Sequence, residues 1–222
     1  MIPENKPVCW VVGAGDFDAA DFSPRPGDLV IAADGGYVHL TTLGVVPDIL
    51  LGDFDSLDTV PDFPNIVRHP VRKDDGDTAL AVKLGLGRGY RAFALYGGLG
   101  GERLDHSLAN IQTLAWLARQ GAAGWLVGRG QVVTVIENAA LRFDAACRGF
   151  LSVFCHGERA EDVTLRQLKF PLENAALDCR VPLGLSNEFV GGPAEVAVRR
   201  GTLVVVWQGI PSQARLCSLA AE

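Results

Sequence analysis

Short runs rich in Val, Ile, Leu and Ala alternate with helix-period stretches from Val8 to about Ile136. Strands are expected at residues 8–12, 29–33, 49–51, 92–96 and 125–127. Strands that alternate with helices point to a largely parallel sheet covered by helices. The clearest helix spans 104–119, where Leu104, Leu108, Ile111 and Ala115 recur every three or four residues and Gly121 follows as a stop. A second helix is expected from Asp77 to about Gly85.

After Asn138 the texture changes. Apolar runs at 151–155, 163–168, 194–198 and 203–207 are separated by Gly, Pro and Asn, and no helical period is visible. Strands at near-regular spacing predict a small β-sandwich. The expected fold class is therefore α/β: an N-terminal Rossmann-like domain with a mostly parallel sheet (1–138), then a smaller C-terminal β-sandwich domain (139–222).

Composition narrows the function. With 222 residues and 48% hydrophobic content the chain can bury packed cores unaided. A net charge of −6 and no Lys/Arg run longer than a pair leave no footprint for nucleic acid. The apolar start is too short for a membrane span and lacks a secretory pattern, so no membrane partner and a cytoplasmic location are expected. Five cysteines without CxxC spacing argue against disulfides and thiolate metal sites, and four scattered histidines offer no zinc set.

Chemistry-bearing residues cluster in the loops of the first half. In Gly52-Asp53-Phe54-Asp55-Ser56 an apolar strand runs into two carboxylates. Side chains two apart on extended backbone point the same way, so Asp53 and Asp55 can converge on one cation, and hard oxygens suit Mg²⁺. Equally, Gly52 can make a turn with Asp55 or Ser56 capping the next element. Asp34-Gly35-Gly36 follows the second expected strand, and Lys73-Asp74-Asp75-Gly76-Asp77 precedes a helix. Asp77 is either a third metal contact or a helix N-cap. Gly97-Gly98-Leu99-Gly100-Gly101-Glu102-Arg103-Leu104-Asp105-His106 leads from a strand into the strongest helix. Gly98 and its neighbours let backbone approach a phosphate, Arg103 can fork onto phosphate oxygens, and Asp105 suits a first helical turn. His106 is read as a packing residue or a support for its neighbours.

Taken in series, these segments resemble thiamine pyrophosphokinase, with its DGG turn, GDxDS motif, lysine–aspartate turn and GxxGxRxDH stretch. Gly184-Leu185-Ser186-Asn187 is similar to that family's serine–asparagine signature. The resemblance implies transfer of a diphosphoryl group from ATP to the thiamine hydroxyl, giving thiamine diphosphate and AMP. It also implies a homodimer. By motif match, Asp53, Asp55 and Asp77 hold Mg²⁺ and form the catalytic set with Arg103. Asp34, Gly35, Gly36, Lys73, Gly98, Arg103 and Asp105 line the ATP region, and Ser186 and Asn187 face thiamine.

This chain departs from the pattern in two places. Gly76 stands where the lysine–aspartate turn usually carries Thr, and Leu126-Val127-Gly128-Arg129-Gly130-Gln131 lacks the acidic residue often found there. Two rival activities fit parts of the pattern. A 6-hydroxymethylpterin diphosphokinase would keep the reaction and change the acceptor. An NAD-type dinucleotide oxidoreductase would use Gly13-Ala14-Gly15 with Asp34, 21 residues beyond Gly13, although Asp18 occupies the third glycine position. A catalytically silent sensor on the same fold is opposed by the intact Asp53 and Asp55. No Walker GxxxxGK[ST] or hydrolase GxSxG is present.

Overall fold

The computed structural model describes residue 2 and residues 6–52, 63–68, 76–100 and 103–219. The chain is mixed α/β, mostly sheet, with three α-helices among the described residues. It divides into two compact units, one of residues 3–113 with 126–129, the other of residues 1–2, 114–125 and 130–222.

The first unit is built on five parallel strands. They are β1 (Cys9–Val12), β2 (Leu29–Ala33), β3 (Ile49–Gly52), β4 (Ile66–Arg68) and β5 (Ala92–Tyr96). The ladder runs β5-β1-β2-β3-β4. Every residue of β1, β2, β3 and β5 is buried, which explains why these segments read as unbroken apolar runs. Helix α1 (Gly36–Thr42) packs on β1 and β2, and α2 (Asp77–Gly87) on β1, β2 and β3. No helix covers residues 13–28. Instead that loop is pinned by an aromatic cluster in which Phe22 meets Trp10 and Tyr96 edge-on at 5.3 and 5.2 Å between ring centres. The Tyr96 hydroxyl donates to the Ala20 carbonyl at 2.9 Å.

Helix α3 (Leu104–Arg119) has the expected bounds, but its buried face differs from the expected one. Leu104 and Leu108 are exposed, at 70% and 56%, whereas Ser107, Asn110, Leu114 and Leu117 are buried. The first two buried residues are polar because that side of the helix bonds the glycine loop before it, so of the expected series Leu104, Leu108, Ile111 and Ala115 only Ala115 lies on the buried face.

The second unit is antiparallel. Strand β6 (Ala123–Gly128) reaches it through residues 123–125, followed by β7 (Gln131–Glu137), β8 (Ala139–Phe143), β9 (Phe150–Cys155), β10 (Arg159–Arg166), β11 (Leu172–Asp178), β12 (Gly184–Glu188), β13 (Ala194–Arg200), β14 (Thr202–Gln208) and β15 (Ala214–Ser218). One ladder runs β12-β9-β14-β7 and another β11-β10-β13-β8-β15. Phe143 lies edge-on to Phe189 and Trp207 at 5.1 and 5.4 Å in the core between them. Trp207 is 1% exposed and Phe189 8%, so both are core residues. Among the described residues no helix is long and apolar enough to cross a membrane.

One contact sets how deeply α1 seats. A Cβ on Gly36 would lie 1.8 Å from the Val12 carbonyl oxygen, so α1 can rest on β1 only if residue 36 has no side chain. Gly36→Ala is expected to cost on the order of 3 kcal/mol or more in urea unfolding, because backbone must shift. Gly87 ends α2 with nothing within 4 Å of an added Cβ, and Gly87→Ala is expected to stabilise by about 0.5–1 kcal/mol. Unchanged unfolding of Gly36→Ala would contradict this packing.

Candidate active site

The carboxyl ends of β1, β2, β3 and β5 are drawn together by backbone contacts. The Gly13 N–H donates to the Tyr96 carbonyl at 2.8 Å and the Gly15 N–H to the Gly97 carbonyl at 2.9 Å. Gly97 has φ of +66°, and a Cβ there would sit 2.2 Å from the Gly13 carbonyl oxygen. The two turns cross closer than side chains permit. On the other side of β1, the Asp34 N–H donates to the Leu51 carbonyl at 2.7 Å, and Gly52 lies against the Asp34 backbone. Asp34 has φ of +51°, a left-handed conformation that Asp tolerates better than most residues. Strand order reverses between β5 and β1, and ligands of open α/β sheets collect at the carboxyl ends beside such a point.

Helix α3 holds the glycine loop from its own buried face. Asn110 Nδ2 donates to the Gly98 carbonyl at 2.9 Å, and the Gly100 N–H donates to Ser107 Oγ at 3.0 Å. Neither residue stands out in the sequence as a site residue, although their spacing, three apart and facing the same way as Leu114, is a usable signal. At the helix entrance the Arg103 guanidinium forks onto the Asp105 carboxylate, Nε to Oδ1 at 2.9 Å and Nη2 to Oδ2 at 2.7 Å. That charge-assisted pair holds the Asp105 carboxyl down to about 2 and raises the Arg103 pKa. Asp105 is therefore a weak base at neutral pH and serves to orient Arg103, which is itself exposed. His106 is exposed too, rather than packed.

Asp77 is the first residue of α2, and the cap position belongs to Gly76, which makes no side-chain cap bond. Its carboxylate thus sits in the first turn, where the helix dipole favours negative charge. Asp34, Gly35 and Gly36 form the turn from β2 into α1, with Gly36 buried. Asp53, Asp55, Lys73, Asp74 and Asp75 lie outside the described residues. Among the described residues no group of three or more His, Cys, Asp or Glu side chains is arranged to hold a metal ion.

In the second unit the two signature residues have different environments. Ser186 is exposed with φ of +56°, at a shift of register between β12 and β9, and its N–H donates to Ser152 Oγ at 3.1 Å. Such bulges re-aim a side chain away from the ladder. Asn187 is 2% exposed, and its amide is engaged with backbone. Its Oδ1 accepts from the Phe170 and Glu188 N–H groups, both at 2.9 Å, while Nδ2 donates to the Phe170 carbonyl at 2.7 Å. Asn187 therefore fastens β12 to the 169–170 turn, beside the bulge that presents Ser186.

The dinucleotide reading fails on local geometry. A dinucleotide fingerprint turns from the first strand straight into a helix whose free N–H groups receive the pyrophosphate. Here no helix follows β1, and the Gly13 and Gly15 N–H groups are bonded to β5 and the residue after it.

Comparison with known proteins agrees with this arrangement. Residues 25–126 match the family model described as thiamin pyrophosphokinase, catalytic domain, and residues 140–203 match thiamin pyrophosphokinase, vitamin B1 binding domain. The thiamine pyrophosphokinase of Bacillus subtilis (strain 168) is 25% identical over 185 residues, covering 80% of this chain and 86% of that protein. The crystal structure of thiamine pyrophosphokinase from Bacillus subtilis superposes with a TM-score of 0.80 at 22% identity, covering 91% of this chain and 99% of that one. That from Geobacillus thermodenitrificans gives 0.76 at 25% identity, covering 93% and 99%. With two domain models of one family matched in series along most of its length, the chain belongs to the thiamine pyrophosphokinase family.

Proposed function

We propose that this protein is a thiamine diphosphokinase, transferring the terminal diphosphoryl group of ATP to the hydroxyl of thiamine and releasing AMP. The observation that carries the reading is the pairing, in one chain, of a matched catalytic segment with a matched vitamin B1 binding segment. The segments 25–126 and 140–203 support a functional division into a Rossmann-like catalytic part, 1–138, and a sandwich part, 139–222, that holds the vitamin. A pterin acceptor has no corresponding support.

ATP is placed at the crossed strand ends, lined by Asp34, Gly35, Gly36, Lys73 and Gly98. Asp53, Asp55 and Asp77 would hold Mg²⁺: the donor set is all carboxylate, as a hard cation needs, and Asp77 stands in the first turn of α2. Asp53 follows directly from the end of β3, where Gly52 is held against Asp34. Bound there, the ion would neutralise phosphate charge. Arg103, oriented by Asp105, supplies a planar fork for phosphate oxygens, and Asn110 and Ser107 keep the loop backbone in place. Thiamine's hydroxyl oxygen attacks the β-phosphorus in line, and the bond to the α–β bridging oxygen breaks as AMP leaves. No strong protein base is required, since such transfers rely on position and charge. Ser186, lifted by its bulge, faces thiamine, and Asn187 fixes the strand that carries it.

The protein acts as a homodimer in this reading. Leu183 and Leu185 are 58% and 54% exposed around β12, which among the described residues has a ladder partner on one side only, and Val181 adjoins them at 57%. An apolar edge of this kind is a hazard for a monomer and a natural seat for a second copy. Sedimentation at micromolar concentration is expected to give twice the chain mass; a monomer at that concentration would contradict it.

Incubation with ATP, Mg²⁺ and thiamine should yield AMP and thiamine diphosphate in equal amounts. Arg103→Ala is expected to lower kcat by about 10²–10³-fold, and Asp53→Asn or Asp55→Asn by on the order of 10³-fold, with unchanged circular dichroism. ADP with thiamine monophosphate as products would overturn the diphosphoryl reading. Near-normal rates in both Asn variants would overturn the metal assignment.

A further inference from the structure

We infer that Arg129 is a second guanidinium for the phosphate chain of the nucleotide, held ready by Asp16 and handed over when the nucleotide binds. The inference rests on the nucleotide site proposed above and adds to it a residue from the turn between β6 and β7.

The position is unusual for its backbone. Arg129 and Gly130, between β6 and β7, both have positive φ, +53° and +68°. A two-residue turn of that kind selects Asn, Asp or Gly at its first central position, because other side chains crowd the following carbonyl at a cost of roughly 1–2 kcal/mol. An arginine there is poor turn chemistry, so its side chain has to account for its presence.

That side chain links three strand ends. Its root follows β6, its Nη2 pairs with Asp16 Oδ2 in the loop after β1, and its stem lies along Gly100 in the loop after β5. A Cβ added to Gly100 would stand 3.3 Å from Arg129 Nε and 3.5 Å from Cζ. The guanidinium thus rests on the glycine loop assigned to phosphate, reaching it from β6 while Arg103 leads the same loop into α3.

The pair with Asp16 suits a temporary partner. The Arg129 and Asp16 side chains are 65% and 43% exposed, and exposed ion pairs hold weakly. A polyphosphate brings more charge and several oxygens to the same place, and a guanidinium forks onto phosphate readily because it is weakly hydrated. Asp16 then returns to water.

Equilibrium binding of ATP and of AMP, without thiamine, tests this in Arg129→Ala, Arg129→Lys and Asp16→Ala. Arg129→Ala is expected to weaken ATP about 10–100-fold and AMP less than about 3-fold, with Lys intermediate. Asp16→Ala should bind ATP as well as the parent or more tightly, because the competing carboxylate is gone. If Asp16→Ala weakens ATP as much as Arg129→Ala does, the pair is a loop tether and the inference is wrong. Equal losses for ATP and AMP, or none, also overturn it. A parent protein that binds no ATP overturns the nucleotide reading itself, whereas normal ATP binding by Arg129→Ala overturns only the role of Arg129.

Discussion

Four strand ends in this protein approach one another across bare backbone, and the rest of the site depends on that approach. Gly97 can lie against Gly13 because neither carries a Cβ, and α1 can sit on the Val12 carbonyl because residue 36 is glycine. The contact is steric, so it admits no gradual substitute: a methyl group at 1.8 or 2.2 Å from an oxygen must displace backbone. With the turns crossed, the carboxyl ends of β1, β2, β3 and β5 share one end of the sheet, which is where the proposed reading puts the polyphosphate.

The second constraint is that the glycine loop cannot hold itself. Glycine lowers the cost of close approach and raises the entropy of the unbound loop. Helix α3 answers with Asn110 and Ser107, whose bonds to Gly98 and Gly100 tie the loop to a regular element. The same helix start orients Arg103 through Asp105. In the second unit Asn187 does a comparable job, spending its whole amide on backbone so that the bulge at Ser186 is held. In each case a residue of the site region acts on neighbouring backbone or on another side chain within the fold.

Much of the fold was legible because burial is two-sided. β2 and β5 fall at the expected residues, being continuous apolar runs inside a covered sheet. α1 was hidden by the turn chemistry of Asp34-Gly35-Gly36, which is also its entrance. β11, β12 and β15 are hard to read because their sequences, LENAALD, GLSNE and ARLCS, carry no β-branched or aromatic residue and lie at sheet edges. The buried side of α3 is only partly legible for the opposite reason, since its first buried residues are polar and bonded, and the apolar series meets it only at Ala115. The order of the acidic and glycine motifs pointed to the family, because common residues in a rare series are informative together. Spacing alone could not separate Ser186, exposed on a bulge, from Asn187, buried and fully engaged.

Hydrogen exchange at individual amides, with and without a non-transferable ATP analogue and Mg²⁺, tests most directly whether the crossed glycine turns receive the nucleotide. Amides exposed in the free protein within residues 13–16, 34–36 and 97–100 should gain protection together, with the 186–187 segment unaffected until thiamine is added. Protection confined to other parts of the sheet, with these three turns unchanged, would contradict the account.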